Sequence, residues 1–163
     1  VFTIIRGTPF CGATHVMANL ARAEKKEVYS NSPLLYKHNE FDINDINKIR
    51  NAVIVLDYPV EVLTTSPEIS DKKKELLIAV LQSNYLGNII YTTVSSKFPI
   101  DSRFNLFCDY YISCDSISMG VIRFSLTSTK NGSTPEYYDM NIFAKKRTLA
   151  YMPFSKEKNE KTI

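Results

Sequence analysis

Apolar residues first gather in the run Phe2 to Ile5, which breaks at Arg6-Gly7. A β-branched and aromatic run of this length favours a strand. After an intervening loop the spacing changes, and Val16, Met17, Leu20 and Ala21 recur on one face at helical period. Glu27 to Tyr29 reads as a brief second strand, and Asn44 to Arg50 as a short helix capped by Asn44 or Asp42. Ala52 to Asp57, AVIVLD, is an apolar run closed by a carboxylate, the pattern of a central parallel strand buried on both faces. Ser70 or Asp71 then caps a helix in which Leu76, Leu77, Val80, Leu81 and Asn84 share a face, and Gly87 stops it in the left-handed conformation. Asn88 to Thr93, NIIYTT, is the next buried strand.

Beyond Pro99 the pattern predicts a short helix over Asp101 to Cys108 and a strand over Tyr110 to Ser113. From Val121 to Thr127 and from Glu136 to Ala144 the period becomes two. Ile122, Phe124 and Leu126 share one face, as do Tyr138, Met140 and Ile142, with Asn131-Gly132 between the two runs. This is a terminal antiparallel hairpin with a loop longer than two residues. Alternating strands and helices followed by a hairpin predict an α/β fold, a mostly parallel central sheet with an antiparallel edge. Right-handed crossovers bring the carboxyl ends of the parallel strands to one rim, where ligands bind.

With 163 residues, 44% of them apolar and 23% charged, the chain fits one folded domain, drawn here at residues 1–144. Residues 145–163 form a basic tail, with Lys145, Lys146, Arg147, Lys156, Lys158 and Lys161 set against Glu157 and Glu160. The net charge of +3 is too small to indicate nucleic acid by itself. No apolar run is long enough to span a bilayer. Cys11, Cys108 and Cys114 are odd in number and lack a CxxC pairing, which argues against a disulfide framework or a zinc site and for a reducing, cytoplasmic setting. His15 and His38 are too far apart in sequence to signal a catalytic pair.

The segment Gly7-Thr8-Pro9-Phe10-Cys11-Gly12-Ala13-Thr14 matches the phosphate-binding pattern GxxxxGK[ST] at every fixed position except the lysine, which is Ala13. Two glycines let backbone amides curl round a phosphate, and the helix that follows aims its positive end at it. The loop follows a predicted strand and opens a predicted helix, and the buried strand ending in Asp57 supplies an acid for the same rim. Without the lysine, binding weakens and hydrolysis nearly stops.

On GTPFCGAT, AVIVLDY, a helix then GNIIYTT, and PIDSRFNLFCDYYI, over about residues 2–115, the sequence resembles the additional-strand, RecA-like P-loop ATPases. It is most similar to the FtsK and HerA-like group, which includes viral genome-packaging ATPases and filamentous-phage assembly proteins of the zonula occludens toxin kind. The resemblance implies a RecA-like P-loop NTPase sandwich with the NIIYTT strand between the other two. It implies ATP held by Gly7, Thr8, Pro9, Phe10, Cys11, Gly12, Ala13, Thr14 and His15, and Mg2+ held by Thr14 and Asp57. Thr92 or Thr93 would be the sensor, and Arg103 would stabilise phosphate or, in its plainer reading, form a surface ion pair. Tyr58 stands where that group has a catalytic glutamate, and Glu61 is the replacement base on offer. The sensor offers threonine where glutamine is frequent.

The sequence therefore leads to an ATP-binding motor domain of DNA-translocating or viral genome-packaging type, disarmed at Ala13, or alternatively to an inactive P-loop relic serving as an interaction or structural subunit. The resemblance also implies self-association, since such motors act as rings, and a viral source would place the chain in the cytoplasm of an infected host cell. DNA would meet the basic tail. A small-molecule phosphotransferase fits less well, because those enzymes usually keep the lysine and carry an arginine-rich lid.

Overall fold

The structure, a computed structural model, describes residues 1–142 apart from 67, 131 and 132. The basic tail, the end of the last expected strand and Asn131-Gly132 lie outside the described residues. In chain order the elements are β1 (Phe2–Gly7), α1 (Ala13–Ala23), β2 (Glu27–Ser30), β3 (Asn39–Glu40), a 3-10 turn (Ile43–Lys48), β4 (Ala52–Leu56), α2 (Val60–Leu63), α3 (Asp71–Gln82), β5 (Ile89–Ser95), α4 (Ser102–Phe107), β6 (Tyr110–Ser118), β7 (Val121–Ser128) and β8 (Glu136–Asn141).

The strands form one sheet in the order β3-β2-β4-β5-β1-β6-β7-β8, parallel from β3 to β6 and antiparallel from β6 to β8. The NIIYTT segment, in β5, lies between β1 and β4 as the resemblance implied. Alternation along the central strands divides the core between the two faces. Ile5, Val53, Val55 and Tyr91 point to the face covered by α1. Phe2, Ile4, Ile54, Leu56 and Ile90 point to the other, covered by the 3-10 turn, α2, α3 and α4. All five residues of β4 are buried, which is why this strand reads as an unbroken apolar run.

Asp42 caps the 3-10 turn through the Asn44 amide, and Ser70 caps α3 through the Lys73 amide. Gly87, at φ 68°, ends the turn after α3, where the Asn88 amide donates to the Ser83 carbonyl at 2.8 Å. The expected apolar face of α3 needs correction: Leu76 and Val80 are buried, but Leu81 is 56% exposed and Lys73 takes a core position.

The antiparallel part is also larger than the expected hairpin. β6 continues to Ser118, and Met119 and Gly120, at φ 49° and 77°, make a two-residue turn into β7. With only one glycine and a methionine in the turn, this signal was weaker than Asn-Gly. Ile122, Phe124, Leu126 and Met140 thereby join the core on the α1 face. No helix of the described residues is long and apolar enough to cross a membrane.

Candidate phosphate-binding site

β1 delivers Gly7 to the carboxyl rim of the sheet, in register with Ser95 of β5 and Cys114 of β6. The chain then loops through Thr8, Pro9 and Phe10, all exposed, and enters α1 at Ala13. Phe10 is 95% exposed with φ 66°, and the Cys11 amide closes a turn on the Thr8 carbonyl at 3.1 Å.

Each loop glycine has a physical reason. A Cβ on Gly7 would fall 2.0 Å from Cys11 Sγ and 3.1 Å from the Cys114 carbonyl, so a side chain there would collide with the loop's own floor. Gly12 has φ 91°, and a Cβ on it would lie 2.6 Å from Ile122 Cδ1 and 3.3 Å from Ile117 Cδ1. The hairpin β6–β7 therefore packs directly behind the loop. No side chain caps α1, so the amides of its first turn point into the loop without a side-chain acceptor, the arrangement that suits an anion.

Asp57 follows β4 on the same rim. Thr14 Oγ1 donates to Asp57 Oδ1 at 2.9 Å, and Thr93 Oγ1 donates to the same oxygen at 2.6 Å. Thr93 Oγ1 also accepts the Tyr58 amide at 2.9 Å. Of the two threonines open as sensor, Thr93 is thus the one at Asp57, while Thr92 is buried and donates to the Leu56 carbonyl. A carboxylate and a neighbouring hydroxyl are hard oxygen donors of the kind Mg2+ accepts beside its waters, so Thr14 and Asp57 fit that ion chemically.

Asn31 was not anticipated. Its Oδ1 accepts the Asp57 amide at 2.8 Å and its Nδ2 donates to the Asp57 carbonyl at 3.3 Å, fixing the backbone that carries the acid. Its role is invisible in sequence because it depends on β2 pairing with β4. A polar residue at the carboxyl end of the strand next to the acid's strand is the only cue.

Other residues singled out above fall elsewhere or do different work. Ala13 is buried in the apolar cluster with Ile5, Val16 and Ile122 and brings no charge. His15 lies in the first turn of α1, where its carbonyl accepts from Asn19 Nδ2 at 2.8 Å. Tyr58 sits at φ 48°; burial, then the nearby Cys11 and Asp57, raise its phenol, so it faces the loop as a neutral group. Glu61, on α2, is exposed and lines a groove of about 300 Å3 with Asn31, Phe41, Pro59 and Lys72, making no hydrogen bond to the loop.

The structure does not bring Arg103 to the loop. Its Nε donates to Asp101 Oδ1 at 2.8 Å and its Nη2 to Oδ2, on the face opposite α1, where Phe104 of the same helix is buried. The arginine serves as an ion pair. Among the described residues no group of three or more His, Cys, Asp or Glu side chains is arranged to hold a metal ion by itself.

No family model matches the sequence, and no curated protein matches it. Solved structures do match the fold. The N-terminal domain of zonular occludens toxin from Neisseria meningitidis superposes with a TM-score of 0.60 at 12% identity, over 85% of this chain and 92% of that one. The genome packaging NTPase B204 from Sulfolobus turreted icosahedral virus 2, in complex with ATP-gammaS, gives a TM-score of 0.59 at 10% identity, over 83% and 95% of the two chains. The RadB recombinase gives 0.63 at 11% identity over 87% of each. With the strand order, the glycine loop between β1 and α1 and the acid on the rim, these matches make the fold that of the RecA-like P-loop NTPases.

Proposed function

We propose that the chain is a nucleotide-binding P-loop domain of the DNA-translocating or genome-packaging kind, with hydrolysis impaired by Ala13. The observation that carries this reading is the meeting of Thr14, Asp57 and Thr93 at the mouth of the Gly7 to Thr14 loop. B204, whose fold is shared, is a genome packaging NTPase solved with ATP-gammaS and with AMPPCP, which supports ATP as the ligand here.

In this reading the amides from Gly12 onward hold the β- and γ-phosphates, aided by the α1 dipole. Thr14 and Asp57 would hold Mg2+, which would offset phosphate charge when bound. Thr93 and Asn31 keep the Asp57 carboxylate aimed at that point. Ala13 leaves the transferred phosphoryl group without its ammonium, and Tyr58 cannot take a proton from water as a carboxylate would, so turnover is negligible. Lys145 to Lys161 would meet DNA phosphates, and ring assembly in the host cytoplasm follows from the packaging role.

The second reading is the inert relic, an interaction or structural subunit, and the burial of Ala13 among apolar side chains favours it. Ala13→Lys separates the two. Calorimetry with Mg-ATP and a phosphate-release assay on both proteins, with circular dichroism to confirm folding, should show tighter binding for the variant, and turnover that returns would mean that Ala13 alone disarms the site. A folded variant with unchanged affinity and no turnover supports the relic.

A further inference from the structure

Cys11 and Cys114 lie far apart in sequence yet share one space. Cys114 on β6 is in register with Gly7 on β1, and a Cβ built on Gly7 would fall 2.0 Å from Cys11 Sγ and 3.2 Å from Cys114 Cβ. The two thiol side chains therefore meet where Gly7 has no side chain, directly under the loop. Both are buried, 4% and 3% exposed, and both thiols are free. A small residue would fill this floor equally well, and nothing in phosphate binding calls for sulfur at either position.

We propose that Cys11 and Cys114 are an oxidisable pair whose disulfide ties the phosphate loop to β6 and weakens nucleotide binding. The link to nucleotide rests on Gly7 to Thr14 being the phosphate loop; the pairing of the thiols does not. The oxidant is a small peroxide, since the burial of both sulfurs keeps out bulky disulfides. Hydrogen peroxide oxidises the Cys11 thiol to a sulfenic acid and leaves as water. The Cys114 sulfur then attacks the Cys11 sulfur, the sulfenic hydroxyl leaves with the Cys114 proton as a second water, and one S–S bond replaces two S–H bonds.

Burial pushes the Cys114 thiol up to about 12, with the neighbouring Cys11 adding to the rise, so Cys114 rests as a thiol, a poor first nucleophile towards peroxide, and its later attack on Cys11 relies on the two side chains being held together. Cys11 directly follows the exposed run Thr8 to Phe10, so it is the partner that takes the first oxidation. Joining the sulfurs draws Cys11 toward β6 and shifts the amides of Gly12 and Ala13 that follow it. Losing one such hydrogen bond to a charged phosphate weakens binding by about tenfold or more.

The test treats the intact chain with hydrogen peroxide, quenches it in acid, alkylates it under denaturing conditions and maps the peptides. The expected result is a Cys11–Cys114 linked peptide with Cys108 still alkylated, reversed by dithiothreitol. Mg-ATP affinity should fall about tenfold on oxidation. Cys114→Ser should remove that sensitivity. Pairing that involves Cys108, or sulfinic acid at Cys11 with no link, overturns the proposal. A linked peptide with unchanged affinity overturns the regulatory part alone. Failure of the reduced protein to bind nucleotide contradicts the proposed function and leaves the linked peptide to be judged by the map.

Discussion

At the scale of single residues the loop is defined by what its positions cannot carry. Gly12 has a left-handed backbone and Ile122 stands 2.6 Å from its missing Cβ, so Gly12→Ala combines backbone strain with a clash. The strain alone costs about 1–2 kcal/mol, and urea unfolding should show at least that loss. Thr93→Val keeps the shape of the side chain but removes one of two donors to Asp57 Oδ1. Nucleotide affinity should fall about tenfold in Mg2+ and stay unchanged in EDTA, measured by calorimetry. The sequence made Gly7 to Thr14 and Asp57 legible because a phosphate loop is a local pattern and a buried strand ending in an acid is a short one. Asn31, Cys114 and Ile122 were not legible, since each reaches the site through pairing between strands far apart in the chain. Arg103 was legible only as two alternatives, a phosphate-stabilising arginine or an ion pair, and its bonds to Asp101 two residues away make it the ion pair.

At the scale of elements, the least expected feature is the join of α3 to α4. Lys73 is fully buried, with Nζ 2.6 Å from the Thr64 carbonyl and 3.3 Å from Asp101 Oδ2, and Arg103 grips the same carboxylate. Position 73 falls one turn before Leu76 and Leu77 on the apolar face, but its residue type is one ordinarily solvated, and the structure uses the stem as core and the charge as a clasp. Asp101→Asn leaves Lys73 buried against a neutral amide and should cost about 3–5 kcal/mol in urea unfolding. The Arg103 hydrogen bond holds the Asp101 carboxyl well below its ordinary value of 3.8. A carboxyl depressed in the folded state contributes stability above its unfolded value and loses it as pH falls toward the folded one. Wild-type stability should therefore drop below about pH 4 more steeply than that of Asp101→Asn, in urea titrations from pH 5 to pH 2. Equal slopes would remove the clasp from the account.

For the whole molecule, the order β4-β5-β1 places the acid and the loop on one rim, and this followed from the resemblance as soon as AVIVLD and NIIYTT were recognised as buried strands. The three-stranded antiparallel run from β6 to β8 was only partly legible, because the turn at Met119-Gly120 carries a weak signal and the β6 bulge between Cys114 and Ser116 interrupts its alternation. DNA binding, if carried by residues 145–163, should be independent of sequence, with log affinity falling by roughly 0.9 per contact against log salt on duplex DNA. Deleting those residues should flatten the slope, and an equal slope for both chains would move the contact surface elsewhere. The central claim is that α1 and the loop before it receive nucleotide phosphates. Backbone amide NMR during a titration with Mg-ATP tests it most directly. Saturable shifts concentrated at Gly12, Ala13, Thr14, Asp57 and Thr93 are the predicted result. No shifts at millimolar nucleotide, or shifts confined to the groove beside Glu61, would contradict it.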